Sequence, residues 1–379
     1  MSDHIATLFR DFDQGRISRR ALLGALGVAA VMRPVSAFAQ GSCGGANASL
    51  PRCDKTPAKL PFAATGWKTV LLDHFSMHVA DYSKEAAYFA ALMNWKIRSD
   101  DGTKAVLDIG DWGGLVIKGG YTPPPPPLPT PEQAAAAAAR AAGAGAAGAA
   151  GGGGGRGGGG GRGPRNAVFT GFCWGIEPWD AKKVQAELKA RGMDPIADND
   201  KDFQSFHVKD PGGLDLQISN GNPKNRRRTP ANGKTSAAAP FDATNWKTVW
   251  LDHISFECAN YKENVAFYTA LLGWTPGQDE GSQNQCRIGD VGDLIIRGGN
   301  PAGGPITPRP NGMGHIAFGI SPWDADAVAE ELKKRGLNAR VDTGGNGDIH
   351  TAKYQSYHTT TPNGYDLQIS NVTRATRGA

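Results

Sequence analysis

Trp246-Lys247-Thr248-Val249-Trp250-Leu251-Asp252-His253-Ile254 decides the fold, because nearly the same nine residues stand 179 positions earlier as Trp67-Lys68-Thr69-Val70-Leu71-Leu72-Asp73-His74-Phe75. Extended both ways, residues 61–120 align with 240–299 without a gap, and 28 of the 60 positions are identical. A second block recurs: Gly175-Ile176 and Pro178-Trp179-Asp180-Ala181 match Gly319-Ile320 and Pro322-Trp323-Asp324-Ala325 at an offset of 144. The ending Asp215-Leu216-Gln217-Ile218-Ser219-Asn220 returns as Asp366-Leu367-Gln368-Ile369-Ser370-Asn371 at an offset of 151. Self-similarity over this span is the mark of a duplicated domain.

Each copy reads as strand, helix and strands, twice over. Strict alternation in 247–257 places Val249, Leu251, His253, Ser255 and Glu257 on one face, and Trp250, Asp252, Ile254 and Phe256 on the other. A helix near 260–273 follows, with Ala266, Phe267, Ala270 and Leu271 as its stripe and Gly273 as its stop. Short strands near 283–289 and 293–297 close the first half. Strand 314–320, a helix over 322–335, and strands near 353–359 and 365–370 make the second. The last strand turns Asp366, Gln368 and Ser370 one way and Leu367 and Ile369 the other, so each copy should have one polar sheet face and one apolar face for helices.

Outward from the repeats, the domains are expected at 61–220 and 240–372, joined by a linker at 221–239 that carries Arg226-Arg227-Arg228. The first copy is split by 121–166, a run of Pro, then Ala, then Gly; such a segment buries too little side chain to offset its ordering entropy and reads as a spacer. It contributes to a glycine count of 52 in 379 residues, well above the usual share of about 7%. With few arginines and no interleaved aromatics it does not resemble a nucleic-acid tether, and a net charge of +5 asks for no polyanionic partner. No apolar run reaches the roughly 20 residues of a membrane span. Residues 1–39 read as an export signal: Ser18-Arg19-Arg20, a modest apolar stretch to Met32, and Ala37-Phe38-Ala39 before Gln40. The paired arginines resemble a twin-arginine signal, so the mature chain is expected in the periplasm or outside the cell. Five cysteines leave at least one unpaired in a monomer. Cys43 and Cys53 could close a small loop, and Cys258 and Cys286 could meet only if their strands are neighbours.

A βαβββ module used twice per domain, with a His in its first strand, resembles the vicinal oxygen chelate (VOC) superfamily of glyoxalases, extradiol dioxygenases and bleomycin-resistance proteins. The residues that carry the likeness are Leu251-Asp252-His253-Ile254, Ala266-Phe267-Tyr268, Leu272-Gly273-Trp274, Gly314-His315-Ile316-Ala317-Phe318 and Pro362-Asn363-Gly364-Tyr365-Asp366-Leu367-Gln368-Ile369. The resemblance implies an α+β fold of two tandem domains, each built of two βαβββ modules that form a half-open cup. It also implies a divalent metal (Fe, Mn, Ni or Zn) held by His253, His315 and Gln368 in the second copy. Gln368 stands where Glu is usual, which keeps an oxygen donor but removes a charge. Arg297 falls where glyoxalases place a further carboxylate. The first copy offers His74 and Gln217, with Gly171 in place of His315, and is expected to be metal-free.

His358 stands where extradiol dioxygenases carry a catalytic tyrosine, and its ordinary pKa suits proton transfer. Ser255, Glu257 and Arg297 are candidate substrate contacts. Glu257 is about 13 Å along the strand from His253, too far to be a co-ligand. The reading that follows is an exported VOC-type protein whose second domain acts on a small substrate with vicinal oxygens, dioxygenase-like or lyase/isomerase-like. The alternative is a metal-free small-molecule binder of bleomycin-resistance type. A small molecule is the expected partner, with a homodimer as the candidate self-association.

Overall fold

The computed structural model describes residues 56–110, 112–124, 166–200, 203–224, 235–299, 306, 310–341 and 354–377. The export signal, Cys43 and Cys53, most of the Pro/Ala/Gly insertion and the Arg226–Arg228 run lie outside these residues. Sixteen strands make two open eight-stranded sheets, one per copy. The first holds β1 (Lys68–Val79), β2 (Lys96–Asp100), β3 (Lys104–Asp108), β4 (Gly114–Lys118), β5 (Ala167–Glu177), β6 (Ile196–Asp200), β7 (Phe203–Lys209) and β8 (Asp215–Ser219), in the order β2-β3-β4-β1-β5-β8-β7-β6. The second repeats that order with β9 (Lys247–Cys258), β10 (Thr275–Asp279), β11 (Gln283–Ile288), β12 (Gly292–Gly298), β13 (Gly312–Ser321), β14 (Arg340–Val341), β15 (Ser356–Thr360) and β16 (Asp366–Ser370). Both modules of a cup therefore come from one copy: β1 pairs antiparallel with β5, and β9 with β13. The fold is α+β, as the resemblance implies. β12 lies between β9 and β11, so Cys258 and Cys286 are not joined and remain thiols; burial pushes the Cys286 thiol up to about 12.

Among the described residues there are four helices. α1 (Tyr82–Met93) and α3 (Tyr261–Leu272) start where the side chains of Asp81 and Asn260 accept from the amides of Lys84 and Glu263. They stop at Asn94 and Gly273, both left-handed, with φ 55° and 69°. α2 (Ala181–Ala190) and α4 (Ala325–Lys334) are capped by Asp180 and Asp324. β10 and β14 escaped the sequence reading because they are short edge strands, and β10 carries Pro276 and Gly277.

The apolar faces of the two sheets meet across α1 and α3 in a single core, where Trp174 packs edge-on to Trp274 and Trp95 to Phe318. The repeated Trp-Lys-Thr-Val motif has its use here. Trp95 Nε1 donates to Thr248 Oγ1 and Trp274 Nε1 to Thr69 Oγ1, both at 2.9 Å, each across the interface. Thr65 and Thr244, two residues before the motif tryptophans, donate their hydroxyls to the carbonyls of Leu271 and Leu92 at the end of the other copy's helix. Much of the internal identity is thus a reciprocal clasp, which leaves the opposite, polar faces of the sheets to diverge.

Candidate functional site

The cup of the second copy depends on an irregularity that alternation does not reveal. In both ladders β9 skips Asp252: Gly292 and Asp293 face Leu251 and His253, and Phe318 and Ala317 face the same two residues. Asp252 is therefore a β-bulge, which bends the strand and re-aims side chains. The expected face assignment fails as a result. Asp252 reaches into the cup beside His253, where it meets Ser370 Oγ (2.7 Å) and Tyr354 Oη (3.0 Å). Trp250 moves to the cup side, and Leu251 joins the apolar core. The first copy bulges at the equivalent Asp73.

Three imidazoles converge in the second cup, all at most 8% exposed. His253 Nε2 and His315 Nε2 are 2.9 Å apart, and the His315 ring stands 5.1 Å from those of both His253 and His358. Carboxylates hold the far nitrogens of two of them: His253 Nδ1 faces Asp252 at 3.2 Å, and His358 Nδ1 faces Asp366 at 2.9 Å. A proton on His253 Nδ1 places a lone pair on Nε2. Burial alone would raise the Asp252 carboxyl, but His253, Ser370 and Tyr354 hold it below its ordinary range. Asp366 is shared with Arg340, at 3.1 and 3.2 Å.

Of the other expected residues, Gln368 is fully buried, faces Ala317 and His358 in the ladders, and donates Nε2 to Ser356 Oγ and Tyr354 Oη, both at 2.8 Å. The amide oxygen is then the atom it can present to a cation. Ser255 pairs with His315 in the ladder, and its hydroxyl is buried with no hydrogen-bond partner among the described residues. Glu257 and Arg297 pair with one another in the β12–β9 ladder, four residues along β9 from His253. Glu257 instead lines an interdomain cleft of about 330 Å³ with Tyr121, Phe169, Met313 and Tyr365. The β12 residue beside His253 is Asp293, whose carboxylate is engaged by Arg377 and Gln285.

In the first cup the same ladder row runs His74, Cys173, Gln217, His207. Asp73 Oδ2 lies 2.8 Å from His74 Nδ1. The hydrogen bond and charge of Asp215 raise the His207 pKa against the opposing effect of burial. Gln217 donates to Ser205 at 2.8 Å, as Gln368 does to Ser356.

The sequence pattern of the glyoxalase/bleomycin resistance protein/dioxygenase superfamily matches residues 250–369, which hold His253, His315, His358 and Gln368. The second domain is similar to this superfamily over that span. Solved structures of similar fold include a Mn(II)-bound glyoxalase from Novosphingobium aromaticivorans, with TM-score 0.51 and 15% identity over 82% of this chain and 86% of that one. A homoprotocatechuate 2,3-dioxygenase variant from Brevibacterium fuscum has TM-score 0.51 and 14% identity over 84% and 75%. A 2,3-dioxygenase from Pseudomonas sp. KL28 has TM-score 0.51 and 12% identity over 80% and 92%. No curated protein sequence matches the chain.

The residues fit the cation that the superfamily implies. Two imidazole nitrogens bound at right angles to one ion, with bonds of about 2.1 Å, stand about 3 Å apart, and His253 and His315 are at 2.9 Å. Their setting also has the outer carboxylate that metal-binding histidines commonly carry. Asp252, Tyr354 and Asp366 were absent from the sequence-derived set. Asp366 sits two residues before Gln368, within the recurring Asp-Leu-Gln-Ile motif, which was the available signal. Asp252 was hidden by the bulge, and Tyr354 stands where the first copy has Phe203.

Proposed function

We propose that the second cup holds a divalent cation on His253, His315 and the amide oxygen of Gln368, and binds a small molecule there through two neighbouring oxygens. The observation that carries this reading is the 2.9 Å approach of two Nε2 atoms, one of them fixed as an acceptor by Asp252. The ion, when bound, supplies Lewis acidity toward adjacent substrate oxygens. Asp252 keeps the Nδ1 proton on His253 and so keeps Nε2 available. Asp366 does the same for His358, whose Nε2 would take a proton from a bound substrate and return it. The Ser255 hydroxyl and the Trp250 indole N–H, both buried without hydrogen-bond partners among the described residues, are donors for a ligand in the cup. Glu257 and Arg297 belong to the edge of the site, Glu257 on the interdomain cleft and reached only by an extended substrate. This supports enzyme chemistry of dioxygenase-like or lyase/isomerase-like type.

The decisive measurement is metal content of the full chain purified without chelators, before and after His315→Ala. Loss of one equivalent supports the reading, and a second cup that takes up no Fe(II), Mn(II), Ni(II) or Zn(II) ends it. The second reading is a metal-free binding cup. It is favoured by the identical 2.8 Å bonds of Gln217 and Gln368, since equal geometry in unequal cups suits a structural amide. We propose also that residues 1–39 send the chain out of the cytoplasm by the twin-arginine route, which an N-terminus of Gln40 on the mature protein would support.

A further inference from the structure

The first cup has lost the residue equivalent to His315, but it has gained another donor. Asp73, His74 and Cys173 each place one ligand atom within 4.8 Å of the other two. They come from adjacent strands. The bulge brings Asp73 to the His74 side, and the β1–β5 ladder sets Cys173 directly opposite His74. Cys173 takes the place of Ala317, which is directly opposite His253 in the second cup. The thiol is fully buried and forms the floor of the cluster, while the side chains of His74 and Asp73 are 22% and 14% exposed and open it toward solvent. Gln217, next to Cys173 on β8, donates its amide nitrogen to Ser205 and so has an oxygen to offer.

We propose that the first cup is a second metal site of different chemistry, in which the Cys173 thiolate, the His74 imidazole and the Asp73 carboxylate bind a thiophilic divalent cation of the zinc type. One sulfur, one nitrogen and one oxygen suit such an ion, whereas the all-nitrogen-and-oxygen second cup suits harder ones. On binding, the S–H bond of Cys173 breaks, its proton leaves to solvent, and the thiolate forms the bond to the metal. Sulfur and nitrogen donors on one tetrahedral ion lie about 3.6 Å apart. With every pair of ligand atoms within 4.8 Å, closure of at most about 1 Å would bring them to that spacing. The cups would then differ in the metal they select rather than in whether they bind one.

The test uses Co(II) as the probe on the full chain, kept reduced. The second cup offers no cysteine, and Cys43, Cys53, Cys258 and Cys286 stay in place when Cys173 is replaced, so the part of a thiolate-to-cobalt charge-transfer band that depends on Cys173 reports on the first cup. Wild type is expected to show the band, and Cys173→Ala, which installs the residue that the second cup already carries, is expected to lose it completely. His74→Ala should weaken Co(II) binding at this site at least tenfold. His315→Ala should leave the band intact while it removes the other equivalent, so failure of the second-cup reading stays separable. Absence of the band in wild type, or its survival in Cys173→Ala, overturns the proposal.

Discussion

The two copies share their clasp and differ in their cups. Trp95 and Trp274 make the same bond to Thr248 and Thr69, and the bulges at Asp73 and Asp252 are equivalent. In the cups, Gly171 replaces His315, and a Cβ at Gly171 would lie 2.6 Å from the Asp215 carbonyl, so the backbone there leaves no room for a side chain. Cys173 replaces Ala317, and Phe203 replaces Tyr354. Duplication preserved what each copy needs from the other, because interface residues are constrained from both sides. The solvent-facing sheet surfaces carry no such mutual constraint.

The largest expected effect tests that contrast directly. His315→Ala should abolish metal binding in the second cup, and His74→Ala should leave that cup loaded, both read as metal per chain in a Cys173→Ala background that silences the first cup; equal losses there would erase the distinction. Next, Asp252→Asn should weaken second-cup metal affinity by about 10–100-fold by releasing the His253 ring, as outer partners of metal ligands do. Asp73→Asn should not change that cup, and calorimetric titration distinguishes the two. The shared clasp predicts symmetry instead. Trp95→Phe and Trp274→Phe should each cost about 1–2 kcal/mol in urea unfolding, since each removes one buried hydrogen bond. A large inequality would show that the interface is less two-fold than its geometry.

The smallest effect concerns an asymmetry within the interface. Glu85 of the first copy is buried against Asn363 of the second, whereas its counterpart is the neutral Asn264. Burial raises the Glu85 carboxyl although bonds from Thr361 and Asn363 oppose it. The folded state therefore holds this proton more tightly than the unfolded chain. Stability from this group is greatest below the ordinary carboxylate range and falls as pH rises through the folded value. Glu85→Gln should flatten that decline between mildly acid and neutral pH, as read by the urea midpoint.

Much of this was legible in the chain. The repeat located both copies, and the apolar stripe of 260–273 with its Gly273 stop located a helix. His253, His315 and His358 were visible at positions that the family resemblance assigns to the cup. The edge strands β10 and β14 were not, because a short strand with a partner on one side needs little of the pattern that burial imposes.

What the sequence determined by itself was a duplicated α+β module and the residue types available to each cup, since periodicity and identity are properties of the chain. The tertiary structure alone decided which of them meet. A one-residue bulge moved Asp252 and Trp250 to the cup side, and strand pairing set Cys173 against His74. Cross-strand register is fixed by non-local hydrogen bonds, and a slip of one position exchanges the faces of every residue beyond it.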